Sequence, residues 1–289
     1  MAGNKRKPIR RSPEEAQRLV DEIKSKGLDT APKLLLYNFK KYGDNKVAMR
    51  EKDYGIWNEY TWSECYEHIK AFALGLVSLG LEQDDKVCCI GDNAPEWYFS
   101  ELAVQSVRGA IVGLYVDAIS TEIEYFVNYA DCKFAVVRDQ EQTDKFLELK
   151  EKEKIPYLQK VIYWDPKGMW IYKDNPFIMS FEEVEELGRE YARTHPTLFE
   201  ESIETGKPAD PAVLCFTSGT SGALPKAAVI NQHYLINAVF DWSMVTAFYP
   251  GDNAVSFVPL AWIAEQFMGI ITWLMWGAVS YTHLTLPTN

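Results

Sequence analysis

The sequence has no CxxC pair, no GxxxxGK[ST] or GxGxxG phosphate motif, and no apolar run long enough to cross a bilayer. Each absence removes a class of function. The five cysteines (Cys65, Cys88, Cys89, Cys132 and Cys215) are odd in number and lack metal-ligand spacing, which fits reduced core residues of a cytoplasmic protein better than disulfides or zinc. The longest apolar stretch covers residues 267–279 and is interrupted by Thr272. Roughly 20 residues are needed to span a membrane, so a buried helix is expected there. The start of the chain is basic and then polar, with no signal peptide visible. The four histidines, His68, His195, His233 and His283, are scattered, with no spacing for a metal site or a triad.

Positive charge is also short: 30 Lys and Arg face 41 Asp and Glu, a net −11. Residues 1–11 hold Lys5, Arg6, Lys7, Arg10 and Arg11 and no acid, which leaves −16 on the rest (−11 less +5). A body that acidic repels a phosphate backbone, so no nucleic-acid partner is expected. The basic start suits a solvated tail or a peripheral contact with an anionic membrane.

What is present is a globular composition, 47 % hydrophobic and 25 % charged, able to bury a sizeable core. Three capping boxes mark helix starts: Ser12 with Glu15, Thr61 with Glu64, and Ser180 with Glu183. Residues 46–51 and 57–62 flank Asp53-Tyr54-Gly55 and read as a hairpin. Apolar strands at 87–90, 110–115, 134–137 and 160–163 then alternate with helical stretches at 95–107, 121–129 and 140–153. That alternation predicts an α/β fold with largely parallel sheets covered by helices. Residues 194–210 read as a polar linker and a subdomain boundary.

After that linker comes an apolar strand, 212–216, then Thr217-Ser218-Gly219-Thr220-Ser221-Gly222-Ala223-Leu224-Pro225-Lys226, then a second apolar strand, 227–230. Glycines let consecutive backbone N–H groups turn toward one anion, hydroxyls add donors without bulk, and lysine supplies a point charge. On composition alone the stretch fits a polyphosphate grip and a Ser/Gly-rich surface turn about equally. Both common phosphate motifs open a helix, whereas this one runs into a strand.

Residues 216–226 resemble the phosphate loop of the adenylate-forming (AMP-binding) superfamily, [YF]-T-S-G-[TS]-[TS]-G-x-P-K-[GA]. Two departures stand out. Ala223 and Leu224 occupy the place of one residue, and Ala227 stands where glycine is commonest. Residues 255–266, V-S-F-V-P-L-A-W-I-A-E-Q, are similar to a second motif of that superfamily, and Gly91-Asp92-Asn93-Ala94-Pro95-Glu96-Trp97 resembles a segment of long-chain acyl-CoA synthetases. Tyr42-Gly43-Asp44 and Tyr60-Thr61-Trp62 also match, so the likeness covers roughly residues 33 to 278.

The resemblance implies a two-step reaction. A carboxylate attacks the α-phosphate of Mg²⁺-bound ATP to give acyl-adenylate and pyrophosphate, and coenzyme A then displaces AMP. By resemblance, Thr217, Ser218, Gly219, Thr220, Ser221, Gly222 and Lys226 hold the β- and γ-phosphates. Trp262 stands beside the acyl pocket, against the plainer reading of a core tryptophan. Glu265 reads as a cap near the start of the helix that follows.

The expected plan is an amino-terminal tail and helix over 1–29, a first α/β subdomain over 30–210, and the start of a second subdomain over 211–279. Residues 280–289 are similar to peptides translated from sequencing-adapter DNA and are expected to be non-native. The superfamily's magnesium-binding glutamate, ribose-binding aspartate and lid lysine are expected beyond residue 289, so the fragment alone is expected to be inactive. The leading reading is a long-chain fatty acyl-CoA synthetase fragment. Another carboxylate-adenylating enzyme and a non-enzymatic nucleotide or lipid binder stay open.

Overall fold

In the computed structural model, which describes residues 13–217, 224–246, 248 and 251–282, short strands alternate with helices from residue 86 onward. The chain opens with helices α1 (Pro13–Ser25) and α2 (Ala31–Tyr42), strands β1 (Val47–Asp53) and β2 (Ile56–Thr61), and helix α3 (Trp62–Ser78). The alternating part runs β3 (Lys86–Ile90), α4 (Pro95–Ser106), β4 (Ala110–Leu114), α5 (Ser120–Tyr129), β5 (Cys132–Val137), α6 (Gln140–Glu151), β6 (Lys160–Tyr163) and β7 (Ile178–Ser180). Helices α7 (Phe181–Thr194) and α8 (Leu198–Thr205) lead to β8 (Pro211–Thr217), β9 (Lys226–Asn231), α9 (Gln232–Val245) and β10 (Asn253–Val255). A short turn of helix, α10 (Ile263–Glu265), passes into a π-helical turn (Gln266–Ile271), then α11 (Thr272–Trp276) and β11 (Val279–Thr282).

The local signals work as expected. At the start of α3, Glu64 N–H donates to Thr61 Oγ1 at 3.1 Å, and Glu64 Oε2 accepts from Thr61 N–H at 2.7 Å. Ser180 and Glu183 do the same for α7, at 3.1 and 2.7 Å. Tyr54 and Gly55 both take positive φ, 45° and 84°, the backbone a tight two-residue hairpin turn requires. The box expected at Ser12 lies outside the described residues.

Seven strands form one sheet in the order β7-β6-β5-β3-β4-β8-β9, parallel throughout except for β8 with β9. Alternate side chains face opposite ways. Cys88, Ile90, Val112, Ala135 and Val137 pack on one face with Ile123 and Val127 of α5 and Phe146 and Leu149 of α6. Val87, Cys89, Ile111, Phe134 and Val136 pack on the other with α2, α3, α4 and α7. All five cysteines are buried and free.

Two features were not legible in the sequence. The stretch 194–210 contains α8, because Phe199 and Ile203, one turn apart, are both buried; each such burial contributes about 1.5–3 kcal/mol. Strand β8 then joins the same sheet beside β4, so this sheet runs across the subdomain boundary expected at 210. The second feature is a four-stranded sheet, β10-β11-β1-β2, in which β11 lies parallel to β1 with Met49 opposite Ser280. Residues 280–282 are therefore part of a strand, with Ser280 and Thr282 buried. The apolar run 267–279 is divided among the π-turn, α11 and β11, with Gly277 at φ 57° ending the helix. Among the described residues no helix is long and apolar enough to cross a membrane.

Helices α3 and α7 touch backbone to backbone. A Cβ added at Gly188 would fall 1.7 Å from the Ala71 carbonyl oxygen, and one at Gly75 would fall 2.0 Å from that of Val184. The same pair is joined by His68, whose Nδ1 lies 2.6 Å from the Glu185 carboxylate and whose ring stacks on Phe99 at 5.0 Å. The Glu185 hydrogen bond raises the His68 pKa above its ordinary 6.5, against the pull of burial. A raised folded-state pKa contributes stability that is full below the unfolded value and lost as pH rises through the folded one. Unfolding midpoints in urea should therefore fall more for the native chain than for His68→Gln between about pH 6 and pH 8.5. Parallel curves for the two proteins would remove the pair from the stability of this helix contact.

Candidate functional site

The antiparallel hairpin β8–β9 presents the hydroxyl- and glycine-rich loop. Thr217 ends β8, Lys226 begins β9, and the two are paired, with Thr217 Oγ1 donating to the Lys226 carbonyl at 3.2 Å. Both side chains are exposed. Ser218, Gly219, Thr220, Ser221 and Gly222 lie outside the described residues. The chain re-enters a strand at Lys226, as the apolar pattern predicts.

The base of the hairpin is held by aromatic rings. Phe216 packs against Phe126 at 4.3 Å and Tyr129 at 5.6 Å, and Tyr125 Oη donates to the Pro225 carbonyl at 2.6 Å. Helix α5 thus fixes both ends of the loop, on either side of the extra residue at 223–224.

Trp262 reaches the same region from a distant part of the chain. The segment carrying it crosses the end of β4 where Gly113 has no side chain: a Cβ there would sit 2.7 Å from the Ala261 Cα. That close approach needs glycine. Trp262 is 56 % exposed, and its side chain is a hydrogen-bonding neighbour of the Tyr115 hydroxyl. It is therefore not a core tryptophan, unlike Trp62 and Trp273, which are fully buried and stacked at 4.8 Å.

Between the hairpin and this segment lies a cleft of about 320 Å³ at the carboxyl ends of β4 and β8. Tyr115, Asp117, Phe126, Thr217, Pro225 and Ala261 are among its lining residues. The carboxyl ends of parallel strands are where ligands bind in open α/β sheets. That rule, applied to the strand expected at 110–115, is the one sequence signal that points to Tyr115 and Asp117. A second cleft of about 340 Å³ surrounds His68, Glu64, Glu67 and Arg189. It lies among helix surfaces away from the strand ends, and the first cleft is the better candidate on that ground. Cys215, near the first cleft, is no nucleophile: burial pushes its thiol up to about 11.

Glu265 departs from expectation. Trp262 is the N-cap of the short helix, with no side-chain cap hydrogen bond, and Glu265 does not cap it. Its carboxyl is buried and instead bonds back to Ser256 and to the backbone of Val258. Burial raises its pKa to about 7 against those hydrogen bonds. His233 is exposed beside Asn237 on α9, a surface role.

The chain is similar to several known CoA ligases. Human long-chain-fatty-acid–CoA ligase ACSBG1 is 30 % identical over 248 residues, covering 82 % of this chain and 32 % of that protein. Human long-chain-fatty-acid–CoA ligase ACSBG2 is 28 % identical over 255 residues, covering 87 % and 36 %. The chain thus spans about a third of the length of these relatives. Among solved structures, the anthranilate CoA ligase AuaEII in complex with anthranoyl-AMP superposes with a TM-score of 0.72 at 17 % identity, covering 89 % of this chain and 44 % of that one. A long-chain-fatty-acid-CoA ligase, FadD1, from Archaeoglobus fulgidus gives 0.70 at 17 %, covering 88 % and 46 %. At that identity both speak to the fold, which is that of the amino-terminal part of such ligases. The family model described as AMP-binding enzyme matches residues 37–284, and this chain belongs to that family.

Proposed function

We propose that the chain is the part of a long-chain fatty acid–CoA ligase that grips the polyphosphate of ATP and receives the acyl chain. The observation that most supports this is the shared cleft: the ends of the phosphate-type loop and the segment bearing Trp262, 36 positions apart from Lys226, meet at the carboxyl ends of β4 and β8. In the first step a carboxylate oxygen bonds to the α-phosphorus of ATP and the bond to pyrophosphate breaks. In the second the thiolate of coenzyme A bonds to the acyl carbon and AMP leaves. Thr217, Ser218, Gly219, Thr220, Ser221, Gly222 and Lys226 hold the β- and γ-phosphates, so that charge growing on the leaving pyrophosphate meets donors already in place. ATP enters with Mg²⁺, but the described residues contain no group of three or more His, Cys, Asp or Glu able to hold an ion, and no step here runs through one. The basic residues 1–11 suit a peripheral contact with an anionic membrane.

Trp262 lines the acyl path in this reading. Each methylene buried there should contribute about 0.8 kcal/mol, or about fourfold in specificity per carbon. A series of fatty acids given to an enzyme carrying this domain should show kcat/KM rising with chain length and then levelling, and Trp262→Ala should move that plateau. A pocket for an amino or aryl acid reads a short polar or planar head instead. A flat response from short to long acids, unaltered by Trp262→Ala, would favour that alternative.

A further inference from the structure

The segment that presents Trp262 is held from beneath by side chains distant in sequence. Asn93, in the loop after β3, spends its amide on it: Nδ2 donates to Ser256 Oγ at 2.7 Å and to the Val258 carbonyl at 2.8 Å. Because Ser256 Oγ accepts from Asn93, its own proton is available to the Glu265 carboxyl, which also takes the Val258 N–H. Gln266 completes the hold, donating from Nε2 to the Leu260 carbonyl at 2.7 Å and to Glu101 Oε2 at 3.0 Å. The Trp262 carbonyl accepts from the N–H groups of Glu265 and Gln266, at 3.1 and 3.3 Å.

The π-turn makes this arrangement feasible. It begins at Gln266, and the consecutive side chains of Glu265 and Gln266 are both buried, 3 % and 1 % exposed. π-turns inserted in helices concentrate at functional sites. Gly269, inside the turn, leaves room for the carboxyl: a Cβ there would fall 2.5 Å from Glu265 Oε1. Among the described residues that oxygen has no hydrogen-bond partner. A buried carboxyl with an unmet oxygen and, among the described residues, no cation beside it is a poor way to stabilise a core, since an apolar side chain of similar size often costs the fold less. Its hydrogen bonds to Ser256 and Val258 give it a different use.

We propose that Glu265 is a positioning residue for the acyl site: acting with Asn93 through Ser256 and Val258, it fixes the segment that carries Trp262 against the cleft. The acyl role of that segment rests on the function proposed above. The test therefore carries one readout of position and one of ligand. Position is read as the acrylamide quenching of the emission lost when Trp262→Phe is added to each protein, which isolates one indole among nine. Ligand is read as binding of palmitate to the 289-residue chain. Glu265→Leu and Asn93→Ala should make the Trp262 signal more quenchable and weaken palmitate about tenfold, while Glu265→Gln, which keeps an acceptor oxygen, should restore both. Ser256→Ala removes only the bridging hydroxyl and carries the test if Glu265→Leu does not fold. Lowered melting temperatures with an unchanged Trp262 signal would overturn the proposal. A displaced Trp262 signal in a chain that binds no palmitate would uphold the positioning role and sink the acyl reading of the cleft.

Discussion

Replacing Lys226 by alanine should slow fatty-acid-driven ATP–pyrophosphate exchange roughly 30- to 900-fold, the equivalent of about 2–4 kcal/mol of lost charge stabilisation when bound polyphosphate shields the ammonium from water. The backbone at this position is fixed by pairing with Thr217, and the side chain is exposed, so the substitution should leave the fold intact. Lys173→Ala, at another exposed lysine, is the control for general charge loss. Gly219→Val should act in the same direction by a different route, since a branched side chain blocks the backbone's approach to phosphate. The assay belongs on an enzyme carrying this domain, at saturating acid. Exchange unchanged in both variants would take the loop out of the mechanism and return it to a surface turn.

The second large effect concerns the scaffold. Gly188→Ala should destabilise the chain by about 3 kcal/mol, at the upper end of overpacking costs, and lower its melting temperature by about 6–12 °C. The obstacle is a main-chain carbonyl, Ala71 C=O, at 1.7 Å from the added carbon, and it cannot rotate away as a side chain would. Relief requires α3 and α7 to separate, which would also pull His68 from Glu185. Glu190→Ala, on the exposed side of the same helix, should change stability little. A Gly188→Ala protein as stable as the native chain would mean that the two helices have another way to pack.

What the sequence made legible was local. Thr61 with Glu64 and Ser180 with Glu183 announce helix starts because the partners lie three residues apart. The βαβ alternation was readable because each strand is a short apolar run. Helix α8 was hidden because only Phe199 and Ile203 are fully buried on it, with Leu198 half-buried beside them, within a stretch otherwise polar. The partners of Glu265 were hidden for a different reason. Ser256 and Val258 stand seven to nine positions away across a turn, and Asn93 lies 163 positions from Ser256, beyond the reach of any periodicity. The loop's composition was visible, but nothing in it named Tyr115 and Asp117 as sharing a cleft with Thr217 and Pro225. That meeting depends on β4 and β8 lying side by side, which only the sheet order fixes.

The pairing of β1 with β11 also bears on how the molecule is made. The contact between Lys46 and the Gly277 carbonyl spans 231 positions, and Asn38 Nδ2 reaches the Leu274 carbonyl across 236. A ribosome adding about 5–20 residues per second needs roughly 12–46 s to cover the shorter span. During that interval the β1–β2 hairpin has left the tunnel with one edge open, and Ala48 and Met49, later fully buried, still await part of their cover. Isolated hairpins are marginal in water, and open strand edges recruit other chains. The nascent amino-terminal segment is thus the stage of synthesis at which a chaperone would matter most, and a pause in translation before residue 282 would lengthen that exposure.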